Sequence, residues 1–196
     1  MVARLILVAA MCSACTGTLD ASGDPNPPGP DAGMTMTPLG DPDAVARAQE
    51  WVDAKLPYCQ APNHKPDADA SCSATCTRPD NAAWDPCRSD CSGLVSWAWG
   101  LAAPGHTTAT LAPFDTSVSH AIDGMELLPG DAINNDHHTM LFAEWITPNV
   151  QARFLEEPGC SSSQPYAREY IANVTLMGQT VVVQYRGTYT AIRHDK

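Results

Sequence analysis

The chain has 196 residues, with 22 acidic against 11 basic side chains and a formal net charge of −11. That balance repels a phosphate backbone and argues against nucleic acid as a partner. No apolar run is long enough to span a bilayer, and the length suits one domain with a real core behind an N-terminal tail.

Residues 1–14 read as an export signal, with Arg4 followed by an apolar stretch from Leu5 to Met11. Cys12-Ser13-Ala14-Cys15 looks like a lipoprotein processing site with Cys15 as the lipidated residue. Acylation there would anchor an exported protein to a membrane, in the periplasm or at the cell surface, each buried CH₂ contributing ~0.8 kcal/mol. Ordinary secretion with cleavage nearby is the alternative. Residues 16–42 hold six prolines and five glycines among Asp, Ser and Thr, the composition of a disordered tether. The expected organisation is therefore a signal at 1–14, an anchored linker at 15–42 and one folded domain at 43–196.

Asp41 and Pro42 supply the cap and first turn of a helix whose apolar face is Val45, Ala48, Trp51, Val52 and Leu56. Residues 57–88 are rich in Cys, Pro, Asp and Asn, and disulfides are expected to replace a core there. Besides Cys12 and Cys15 the chain has Cys59, Cys72, Cys76, Cys87, Cys91 and Cys160. Six is even, so three bridges would consume Cys91. A zinc site is the weaker reading of Cys72-x3-Cys76 and Cys87-x3-Cys91.

The next stretch, Arg88-Ser89-Asp90-Cys91-Ser92-Gly93-Leu94-Val95-Ser96-Trp97-Ala98-Trp99-Gly100, carries apolar residues at three- and four-residue spacing after Asp90. It predicts a helix capped by Asp90 or Ser89 and ended by Gly100, with Cys91 in the first turn. Unpaired N–H groups and the helix dipole favour a thiolate at that place, which makes Cys91 a candidate nucleophile. Residues 104–114 read as a loop and 117–122 as a short strand or turn. Residues 138–146 predict a strand with Met140, Phe142 and Ile146 on one face and Leu141, Ala143 and Trp145 on the other. After a turn at 147–150, residues 151–157 return as a second strand, and 174–176, 180–186 and 189–193 add three more. Helices followed by an antiparallel sheet of about five strands predict an α+β domain.

Three segments follow one another in a telling order: Asp90-Cys91-Ser92-Gly93-Leu94-Val95, then Pro129-Gly130-Asp131, then a strand opening with His138-Thr139-Met140-Leu141-Phe142. Together with Glu156-Glu157-Pro158-Gly159 they resemble the NlpC/P60 group of papain-like cysteine hydrolases. The resemblance covers about residues 84–160. It implies a papain-like fold with N-terminal helices packed on the sheet, and cleavage of amide bonds in cell-wall peptides without a cofactor. It also implies that Cys91 is the nucleophile, His138 the general base and Glu156 the group orienting His138. His137 is the rival base and Glu157 the rival carboxylate, because neighbouring strand residues face opposite sides. A glutamate in third place is more usual in the related CHAP type. A simple hairpin centred on Pro148 and Asn149 sets Glu156 opposite Leu141, so its contact with His138 would be diagonal. The alternative is a disulfide-stapled module that binds cell wall or a partner without catalysis, with Cys91 in a bridge.

Overall fold

In a computed structural model, residues 40–62 and 81–196 are described. The predicted signal, Cys15, most of the linker, Cys72 and Cys76 lie outside the described residues. Asp41 caps α1 (Pro42–Asp53), its carboxylate accepting the Ala44 N–H at 3.1 Å. Asp90 caps α2 (Cys91–Ala98), accepting the Gly93 N–H at 2.7 Å. Both helices therefore start where the cap residues predict. Among the described residues, no helix is long and apolar enough to cross a membrane.

The strands are β1 (Ser119–Ala121), β2 (Ala132–Asn134), β3 (Thr139–Thr147), β4 (Gln151–Glu156), β5 (Arg168–Met177), β6 (Thr180–Val183) and β7 (Gly187–His194). Their order is β1-β7-β2-β3-β4-β5-β6, every pairing is antiparallel, and β6 pairs back onto β7. Strands β2 to β7 thus close into a six-stranded antiparallel barrel, and β1 adds to β7. This overturns the expected α+β, papain-like arrangement of helices packed on a sheet of about five strands. The chain is mostly sheet, with two short helices.

Helix length supplies a physical reason. At about 1.5 Å per residue, the 12 residues of α1 and the eight of α2 cover little of a seven-stranded sheet. The sheet buries its other face by closing on itself, which also removes its long free edges.

Side-chain alternation follows from that closure. Ile133, Met140, Phe142, Ala152, Phe154, Ala172, Val174, Val181, Val183, Tyr189 and Ala191 form one buried cluster, the barrel interior. Ala132, Leu141, Ala143, Leu155 and Ile192 have the opposite parity and pack against α1 and α2 in a second cluster. Trp51 anchors that outer layer, stacked on Trp97 at 5.9 Å and meeting Trp84 edge-on at 6.4 Å. Trp84 and Cys87 therefore belong to a true core, although residues 57–88 read as a loop held by bridges.

Two irregularities in the β3–β4 pairing matter for the site. Thr147 pairs with Gln151, Trp145 with Ala152, Glu144 with Arg153, and then Phe142 with Phe154 and Leu141 with Leu155, with register shifts between Phe142 and Glu144 and between Trp145 and Thr147. Such shifts place an extra residue on one strand and turn the side chains that follow. Trp145 consequently packs with Phe142 at 4.9 Å on the inner side, where plain alternation had set it on the other face. Leu141 meets Leu155 rather than Glu156, so continuing this register by one residue brings Glu156 opposite Met140.

Candidate active site

Met140 faces the barrel interior, and so therefore does Glu156. His138, two residues before Met140, shares that side, and its Nε2 lies 3.0 Å from Oε2 of Glu156. The contact is diagonal across the strand pair, within reach of two long side chains. Glu156 is fully buried. Its Oε1 accepts bonds from Arg168 Nε at 3.0 Å and Nη2 at 2.9 Å, and a third from Arg186 Nη2. Burial alone would raise the carboxyl, but the bond and charge of His138, then Arg186 and Arg168, hold it below its usual range. Glu157 turns to the opposite parity and is also fully buried, where its charge helps raise the Tyr58 phenol.

Cys91 sits at the first helical position of α2, on the outer side of β3, as a buried free thiol. Cys59 and Cys160 are disulfide-bonded, and Cys91 is outside those bridges. Backbone N–H groups of Thr139, Ser92 and Cys91 itself point at Sγ, and all three favour the thiolate. Burial nevertheless dominates, with the adjacent Asp90 charge acting in the same direction, and pushes the thiol up to about 12. The helix start was expected to yield a lowered thiol. It yields a neutral one at rest, because the eight-residue helix is embedded in the core and its cap is itself an anion.

Thr139, whose backbone N–H favours the Cys91 thiolate, directly follows His138 in the chain. The Tyr189 ring meets the His138 ring edge-on at 6.4 Å, and its phenol feels both Glu156 and Cys91. With Nε2 given to Glu156, Nδ1 is the nitrogen of His138 left to exchange a proton. The rival, His137, has its side chain 85 % exposed and pairs with Asp136 at 3.2 Å.

Cys91 opens onto a cleft of about 310 Å³ whose wall includes Tyr58, Gln60, Arg88, Asp90, Ser92, Thr107, Thr108 and His137. Every residue named in that wall carries a polar group. Tyr58 is pushed up to about 12, first by burial and then by its electrostatic coupling to the nearby Cys91, so it remains a phenol able to donate. Asp90 also accepts from Ser92 Oγ at 3.1 Å, which fixes the loop ahead of Cys91. A separate cavity of about 220 Å³, beside Trp99 and His194, contains none of the predicted site residues. Among the described residues, no group of three or more His, Cys, Asp or Glu forms a metal-ligand set.

Gly93 packs tightly against its own entry loop, where an added Cβ would stand 2.0 Å from the Arg88 carbonyl oxygen and 2.7 Å from its carbon. Gly93→Ala is therefore expected to displace the start of α2, costing roughly 1–3 kcal/mol by denaturant unfolding. Cys91 should become more accessible to alkylation in the same variant.

Four residues near the site escaped the sequence reading: Tyr58, Arg168, Arg186 and Tyr189. Arg168 shares the parity of Ala172 and Val174 on β5, and that alternation was the available signal. Nothing local marks Tyr58, which the fold brings in from 33 positions before Cys91. No family model, curated protein or solved structure matches this chain.

Proposed function

We propose that the protein is a cysteine hydrolase of amide bonds acting through Cys91, His138 and Glu156. The observation that carries the reading is the contact of His138 Nε2 with the fully buried Glu156 Oε2 at 3.0 Å, in a fold that also keeps Cys91 a free thiol at the first turn of α2. As Sγ attacks the carbonyl carbon, His138 Nδ1 takes the thiol proton, so the thiolate need exist only as the new bond forms. Collapse of the tetrahedral adduct breaks the C–N bond, the proton passes to the leaving amine, and a thioester remains on Cys91. Water then gives a proton to His138 and attacks the thioester, releasing the acid and restoring the thiol. Glu156 holds the imidazole in one tautomer and offsets its positive charge. The polar groups in the cleft wall would offer hydrogen bonds to an amide substrate.

Cell-wall peptides as substrate rest on the motif order from Asp90 to Pro158, and membrane attachment rests on Cys15; the barrel is an argument for neither. The test is to incubate the protein with peptidoglycan stem peptides, quench in acid and map Cys91 by mass spectrometry. A thioester mass on Cys91 with released amine supports the reading. An unmodified thiol, with every peptide amide intact, rejects it.

A further inference from the structure

Glu156 takes part in four hydrogen bonds, and they are unevenly divided. Oε1 takes all three from the arginines, and Oε2 is left to His138. The arginines come from different elements: Arg168 opens β5, and Arg186 precedes β7 on the turn after β6. That turn is unusual, because Tyr185 adopts a positive φ of 64° with its side chain in solvent, 91 % exposed. A bulky residue pays for that conformation, and here it accompanies delivery of Arg186 to Glu156. The Arg186 guanidinium also lies 4.4 Å over the ring of Tyr170, which holds its plane.

We propose that Arg168 and Arg186 are positioning residues that saturate Oε1 of Glu156, so that Oε2 alone orients His138 with its proton on Nε2 and its lone pair on Nδ1. A carboxylate with one partner can swing and present either oxygen. One clamped on three sides by guanidinium N–H groups cannot. The groups facing His138 are Glu156 from β4, with Arg168 and Arg186 behind it, and Tyr189 from β7, besides Asp136 and His137 in its own loop. Of these, Glu156 is the group bonded to the ring. The inference rests on the hydrolase reading for its purpose, but the tautomer can be observed without turnover.

The experiment labels histidine with ¹⁵N and records long-range ¹H–¹⁵N correlations of His138 in its neutral form, for wild type, Arg186→Gln, Arg186→Lys and Arg168→Lys. Wild type should show a single tautomer with the proton on Nε2. Arg186→Gln should lose that single tautomer and show a mixture. Arg186→Lys, which keeps a donor and a charge, should stay closer to wild type. Arg186 lies on a solvent-facing turn, so its variants are expected to keep native spectral dispersion. Arg168→Lys, which retains charge but loses the two-pronged bond, supplies an independent second reading. A wild-type tautomer retained in folded Arg186→Gln and Arg168→Lys alike overturns the proposal, and so does a wild type lacking the Nε2 proton. If the tautomer behaves as expected but no thioester forms on Cys91, the hydrolase reading fails while the clamp stands.

Discussion

Cys91→Ser should lose at least ~10³-fold in turnover while keeping the wild-type unfolding transition. The chemistry sets the first part. A hydroxyl is a far weaker acid than a thiol, and the site supplies one imidazole and no preformed anion to drive the attack. Burial sets the second part, since Ser differs from Cys by one smaller atom in a place already furnished with N–H donors from Thr139 and Ser92, which can satisfy the hydroxyl. The wild-type thiol has its own signature. With the group pushed up to about 12, deprotonation at pH 7 is a minor event, so alkylation of the resting protein should be slower than that of an exposed thiol and climb steadily above pH 8. Rapid alkylation at pH 6 would mean a thiolate stabilised at rest, and the concerted proton transfer to His138 would have to be replaced by an ion-pair mechanism.

The second large effect concerns stability. Glu156→Ala should cost about 3–5 kcal/mol in urea unfolding, because it strands two guanidinium groups and an imidazole around a buried gap. The penalty comes less from a lost attraction than from charges left without a partner where water enters poorly. Acid should reproduce part of it in the wild type. The folded carboxyl is held below its ordinary value, so its contribution is complete above the unfolded value near ~4.3 and is lost as pH falls from there through the lower folded value. Glu156→Ala should accordingly show a flatter stability curve below pH 5. A variant as stable as wild type, with the same acid limb, would show that Arg168 and Arg186 find other partners.

Local chemistry was legible in this sequence and global closure was not. Asp41 and Asp90 announced both helix starts, since a cap needs only the side chain and the N–H groups of the next turn. The candidate nucleophile, base and carboxylate were each legible from neighbouring motifs, and His138 and Glu156 do meet. Their meeting could not be derived from counting residues. An unbroken hairpin puts Glu156 opposite Leu141, with the side chains packed against the helices, and leaves Glu157 in line with His138. The register shift between Phe142 and Glu144 reverses that assignment, and nothing local in Phe142-Ala143-Glu144-Trp145 marks where it falls. The barrel was hidden for a related reason. Strands β2 and β6 have three and four residues and short apolar runs, so their role as the seam closing β3 and β5 onto β7 exists only in the assembled sheet. Burial raising Cys91 is likewise a tertiary effect that overrode a correct local argument.

Closure has a further meaning for recognition. Many proteins capture an extended peptide by letting it join the rim of an open sheet, where main-chain groups supply the affinity. A barrel whose last strand returns to its first offers no full-length rim of that kind. Any molecule entering the Cys91 cleft is read instead by what projects from Tyr58 and Gln60, from Thr107 and Thr108 and from His137, none of which is a strand residue. Selectivity and scaffold are thereby uncoupled: exchanging those non-strand residues should redirect what is bound while the barrel that holds His138 against Glu156 keeps its fold.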